Sequence, residues 1–168
     1  MIKHSLKDQL ILHEGLRLKV YICPAYKKTI GVGRNLEDVG LSPEEQDRIL
    51  GRRGLSRSQV INILEERGIT KDEALYMLDN DIARCIKDLE QFFWFKRLDP
   101  VRQKVIVDMC FNLGLTGLKK FRKMIGHLEA GAYVNAAEEM KNSKWYHQVG
   151  TRARRLVEMM RTGEDYKD

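Results

Sequence analysis

Three side chains near the start of the chain have types suited to breaking an acetal bond: Glu14, Cys23 and Thr29. A glycosidic bond yields when an acid protonates the leaving oxygen while a second polar group, across the bond, stabilises the oxocarbenium-like centre or activates water. Glu14 closes a short helical segment and borders the one hairpin-like stretch, where partial burial would raise a carboxyl toward a useful acid. Cys23 and Thr29 lie in that hairpin and can face it. Each also has a plainer reading. A glutamate beside a glycine at a helix end is ordinarily a surface side chain, a cysteine before proline an inert small one, and a threonine in a strand satisfies β propensity. Residue type alone leaves both readings open.

The elements that must position these groups follow from periodicity. Leu6, Leu10, Ile11 and Leu12 fall near helical spacing behind Ser5 as N-cap, so a helix is expected up to Glu14-Gly15. Leu16, Leu18, Val20 and Ile22 then alternate with polar or amphipathic partners, Cys23-Pro24 breaks the run, and Lys28-Thr-Ile-Gly-Val-Gly33 resumes it. Everything after Leu41 reads as helix. Starts are marked at Ser42-Pro43-Glu44-Glu45, at Ser56 and at Thr70-Lys71-Asp72-Glu73, where a cap residue precedes the first turn. The last opens the longest pattern, whose apolar face from Ala74 to Leu89 runs for about five turns, up to Phe92-Phe93-Trp94-Phe95. Beyond Pro100, helices are expected over 101–113, 117–130, 132–141 and 151–161, with 164–168 a frayed tail.

Composition bounds the rest. The chain of 168 residues suits one domain, or two small lobes sharing a core. No stretch reaches the roughly 18 apolar residues of a bilayer helix, and MIKHSLKDQL lacks an apolar signal core, so no stable membrane insertion is expected and synthesis is expected in the cytoplasm. Cys23, Cys85 and Cys110 are an odd set at irregular spacings, against both a disulfide framework and a structural zinc site. The 30 Lys+Arg against 24 Asp+Glu give a formal charge of +6, which concentrates the protein near polyanions by field rather than by fold. Cations run together only at Gly51-Arg52-Arg53-Gly54 and around Arg152 to Arg155, and no nucleic-acid motif accompanies them, so solvated surface is expected and nucleic acid is not.

The segment His13-Glu14-Gly-Leu-Arg-Leu-Lys-Val-Tyr21 followed by Thr29-Ile-Gly-Val-Gly33 closely resembles the active-site hairpin of T-even phage lysozymes, in glycoside hydrolase family 24. In that family a Glu and an Asp, in some members Cys, are separated by eight residues, and a Thr follows after five more; Glu14, Cys23 and Thr29 keep that spacing. Further matches follow in order: Ile69-Thr-Lys-Asp-Glu-Ala74, Phe111-Asn-Leu-Gly-Leu-Thr-Gly117, Ser143-Lys-Trp-Tyr-His-Gln148, Arg152-Ala153 and Arg161-Thr-Gly163. Nearly the whole chain is covered. The resemblance implies an α+β, predominantly α-helical fold of two lobes within one domain over 1–168. A small lobe over 13–70 would carry the hairpin, a connecting helix would span 71–91, and 1–12 with 92–168 would form a helical lobe, with a glycan cleft between the two. It also implies Glu14 as general acid, Cys23 and Thr29 placing or activating water, Arg152 orienting Glu14, and Phe111 and Asn35 contacting sugar. Arg152 as a helix-end cation and Phe111 as a core aromatic are the alternatives.

Departures from the family pattern bear on mechanism. An unperturbed thiol, with a pKa of about 8.5, is only a few per cent ionised near neutrality, so Cys23 does not replace a carboxylate unaided. Lys19, Lys27 and Lys28 are candidates for favouring its thiolate. His13 and Arg34 stand where the family can place an acid–histidine pair, which is therefore expected to be missing. The segment between Arg34 and Ile69 is longer than usual and is expected to gain helix. The activity implied is hydrolysis of the β-1,4 bond between N-acetylmuramic acid and N-acetylglucosamine of peptidoglycan, by inversion, with a thioglycosyl intermediate on Cys23 as a retaining alternative. The substrate implies wall access from the cytoplasm through a holin or through cell lysis. A monomer is expected, with no metal and no organic cofactor. Three readings compete with hydrolysis: a glycan-binding module that lost turnover with the aspartate, a lytic transglycosylase, and a basic nucleic-acid-binding helical domain.

Overall fold

A computed structural model describes residues 2–167. As the periodicities require, it is mostly helical with one small sheet. Helix α1 (Leu6–Glu14) leads into a three-stranded antiparallel sheet, β1 (Arg17–Ile22), β2 (Lys28–Gly31) and β3 (Arg34–Asn35), ordered β1-β2-β3. Then come α2 (Pro43–Glu45), a π-helical turn over Gln46–Leu50, α3 (Arg57–Arg67) and α4 (Lys71–Leu89). The helices α5 (Phe93–Lys96), α6 (Pro100–Lys119), α7 (Arg122–Glu129), α8 (Tyr133–Lys141), α9 (Lys144–Val149) and α10 (Thr151–Thr162) complete it. No helix among the described residues is long and apolar enough to cross a membrane.

The chain divides into two compact units. The first is Leu10–Asp81. Its core gathers Ile30, Leu36, Val60, Leu64, Ile69 and Met77 around the inner face of β2. Two expected caps close its helices: Ser42 and Ser56 each accept a backbone N–H, from Glu45 and Gln59, and each partner side chain returns the bond. The segment after Arg34 carries α2, the π turn and α3. One expectation fails in β1. Leu18 and Ile22 are 39% and 58% exposed, because the pairing with β2 is irregular between Arg17 and Tyr21, and an irregular ladder breaks the alternation that sequence pattern assumes.

The second unit comprises the described chain up to Gln9 and from Ile82 onward. Val105, Ile106, Met109, Leu118, Met124 and Leu156 lie in its core. Helix α6 bends at Gly114, whose left-handed φ of +73° is open to glycine and costly for other residues. The helix expected over 117–130 is in fact two, broken at Lys120-Phe121 where Lys120 and Phe121 close turns on Gly117 and Leu118. Nor is the described tail frayed at Asp165 and Tyr166. Asp165 and Tyr166 are buried, Asp165 pairs with buried Lys104 at 2.9 Å, and its carboxylate accepts the backbone N–H groups of Lys3 and His4. His4 stacks on Tyr166 at 4.1 Å. Asp168, the last residue of that expected tail, lies outside the described residues.

Candidate active site

Helix α1 stops at Glu14 because Gly15 follows with a left-handed φ of +79°, and the chain turns directly into β1. The Glu14 carboxyl then lies against the backbone of Gly33. A Cβ on Gly33 would stand 2.8 Å from Glu14 Oε2 and 3.0 Å from its Cδ, so the absence of a side chain there is what lets the acid occupy its place.

Cys23 and Thr29 meet within the same hairpin. In the β1/β2 ladder Tyr21 opposes Thr29, and Cys23 sits just beyond the last pair, closing the turn by donating its N–H to Lys27 O at 3.0 Å and accepting from Tyr26 at 2.8 Å. Burial alone would push the Cys23 thiol up. It is outweighed by a hydrogen bond with the Thr29 hydroxyl and by the backbone of Lys27, Ala25 and Cys23 itself, and the thiol is lowered below its ordinary value. The lysine ammonium groups are not the cause, contrary to the sequence expectation: Lys28 is paired with Glu65 at 2.9 Å and Lys27 with Asp38 at 3.5 Å. Sequence proximity misleads here because side chains at a turn splay outward, whereas the turn's own backbone converges on the sulfur.

The Thr29 hydroxyl donates to Lys27 O at 2.9 Å. A hydroxyl has one proton and two acceptor sites. In that rotamer it accepts from a thiol or a water; rotated, it donates to a thiolate. Tyr21 connects this pair electrically with the acid. Its phenol is raised by burial first and then by the negative charge of Glu14, against the lowering by Arg17, with Cys23 adding a further rise. Arg17 lies over the Tyr21 ring at 4.4 Å. Neither Tyr21 nor Gly33 was singled out as functional from sequence, although both belong to the hairpin motif.

Asn35 opposes Thr29 on β3, but its side chain is committed to the following turn: its oxygen accepts from the N–H of Glu37 and Asp38, and its amide donates to Asp38 at 3.0 Å. Arg34 is 3% exposed and forms the centre of an ion cluster that sequence reading did not foresee. It holds Glu45 through 2.7 and 2.9 Å bonds and Asp81 at 2.9 Å, while Asn80 donates to Glu45 at 2.9 Å. In the second unit, Arg152 is buried and donates to Asp108 at 2.8 Å, and Asp108 also accepts from Gln9 at 2.8 Å. Phe111 is partly buried against that unit's core.

Comparison with known proteins agrees with this hairpin and helical framework. The phage lysozyme family model matches residues 12–162. Two proteins of Dictyostelium discoideum described as probable T4-type lysozymes 1 and 2 are each 28% identical, over 95% and 97% of this chain and 95% and 98% of their own lengths. The pre-baseplate central spike protein Gp5 of Enterobacteria phage T4 is 29% identical over 95% of this chain, which corresponds to 28% of Gp5. The class is therefore that of the lysozymes, which are hydrolases. The chain belongs to the phage lysozyme family.

Proposed function

We propose that the protein is a muramidase that hydrolyses the β-1,4 bond between N-acetylmuramic acid and N-acetylglucosamine in peptidoglycan. Glu14 protonates the leaving oxygen, the anomeric C–O bond breaks, and a water on the opposite face forms the new C–O bond while giving its proton to the Cys23 thiolate. Thr29 accepts a hydrogen bond from that water in one rotamer and supports the thiolate in the other. Solvent then reprotonates Glu14 and deprotonates Cys23, and the anomeric centre has inverted. The observation that carries this reading is the hairpin geometry: Glu14 is seated against Gly33, and in the same hairpin the Cys23 sulfur meets the Thr29 hydroxyl and the turn backbone, which lower the thiol. A sulfur so placed supplies the base that the family's usual aspartate would supply.

Release of reducing ends from purified Gram-negative peptidoglycan tests it. Glu14→Gln is expected to lose about a thousandfold in rate and Cys23→Ala about a hundredfold, the range in which a positioned acid or base acts. Cys23→Asp is expected to keep activity and to extend it toward acid, because a carboxylate with a pKa of about 4 stays ionised where even a lowered thiol has been protonated. Full activity of Glu14→Gln sinks the mechanism. Anhydro-muramic ends in place of reducing ends mean a transglycosylase, and a mass adduct on Cys23 during turnover means the retaining route.

A further inference from the structure

A groove of about 650 Å³ in the second unit contains none of the candidate catalytic residues. Phe92, Phe93, Arg97, Lys119, Arg122 and Ile125 line it. Phe93 is 72% exposed, far more than a core aromatic, and the Arg97 guanidinium lies 5.4 Å from its ring centre. Phe92 stacks on Trp94 at 5.5 Å, which fixes the neighbouring wall. Helix breakage at Lys120-Phe121 falls within the cationic run Lys119-Lys120-Phe121-Arg122-Lys123, of which Lys119 and Arg122 line the groove. Among the described residues, Arg97, Lys119 and Arg122 have no carboxylate partner.

We propose that this groove is a second, non-catalytic site that holds a peptidoglycan strand while another part of the wall is cut; it rests on the muramidase reading for its substrate class. A pyranose offers a C–H face to an exposed aromatic ring and hydroxyls to planar polar side chains, and Gln91 and Glu129 complete the lining with such groups. These cations, which have no carboxylate partner among the described residues, match the carboxylates of the stem peptides that every muramic acid can carry. The exposed Phe93 ring weighs against a phosphate polymer, since it offers a stacking face to a pyranose and nothing to a phosphate. Concavity weighs against a bilayer, which presents no strand to enter a groove.

Co-sedimentation with intact sacculi, in the uncleaving Glu14→Gln protein, measures the site directly. Phe93→Ala combined with Arg122→Ala is expected to weaken retention about tenfold, as removal of an aromatic anchor and a cation does at other interfaces. In proteins that retain Glu14, the same pair should raise the apparent KM on sacculi and leave kcat/KM on short soluble glycan fragments unchanged. Lys119→Glu with Arg122→Glu, both at exposed positions, guards against a packing artefact at Phe93 and should weaken retention at least as much. Unchanged sacculus binding in both variants overturns the proposal, as does a loss confined to duplex DNA or to phosphatidylglycerol vesicles. A parent protein that binds sacculi but releases no reducing ends overturns the muramidase reading and leaves the groove standing. A parent that cleaves normally beside variants that bind normally overturns the groove alone.

Discussion

A methyl group on Gly33 would meet the Glu14 carboxyl at 2.8 Å, and the colliding atoms are the far end of a flexible side chain rather than backbone. Gly33→Ala therefore has two separable costs. The left-handed φ of +69° is strained for alanine by about 1 kcal/mol, a modest loss that thermal unfolding would register. Displacing the acid by a fraction of its reach is more serious for a reaction that depends on alignment, and a rate loss of about a hundredfold is expected from a shift near 1 Å. A variant that melts a few degrees early yet cleaves peptidoglycan at the parental rate would contradict the place given to Glu14. Cys23 teaches a related point at the same scale. Its residue type and spacing were legible in the sequence; its ionisation was not, because the groups that lower it are a hydroxyl and backbone amides, and only the closed turn brings those to the sulfur.

Among elements, an ion cluster ties β3, α2 and α4 of the first unit together beside its apolar core. Arg34 on β3 joins Glu45 at the end of α2 to Asp81 on α4, and also donates to the carbonyls of Gly40 and Met77. Burial would raise the Glu45 carboxyl, but the hydrogen bonds and charge of Arg34, with Asn80 and the Ser42 backbone, hold it down at about 2. A depressed carboxyl contributes stability that is fully present above its unfolded value, 4.5, and disappears as pH falls through about 2. Glu45→Gln, which leaves Arg34 with one fewer anion, is expected to cost about 3 kcal/mol near neutrality. Urea midpoints measured at pH 7 and pH 2.5 should show the gap between parent and variant closing on the acid side; a constant gap would contradict the ionic account. The sequence revealed the capped helices and the hairpin, since caps and periodicity are local. It did not reveal this cluster, whose members are spread from position 34 to position 81. Short elements were equally opaque: α5 and α9 carry too few residues for a period to register, and the break at Lys120-Phe121 has no proline or glycine at the break itself.

For the molecule as a whole, the formal charge of +6 favours approach to anionic polymers and makes that approach sensitive to salt. The way the second unit secures its extremities matters more for folding. Lys3 and His4 give their backbone N–H groups to Asp165 at 2.6 and 2.9 Å, and Lys104 anchors the same carboxylate from within the core. Residues 161 and 162 positions apart thus share one carboxylate, and a flexible Gly-Ser bridge joining the chain on either side of them would close it into a ring. Ring closure deletes entropy from the unfolded ensemble alone, so the circular protein should be more stable by about 4 kcal/mol, read as a higher urea midpoint with unchanged hydrolysis. Cutting that ring afresh between the exposed Arg52 and Arg53 should return a linear protein of the same fold with its beginning in the middle of the old sequence.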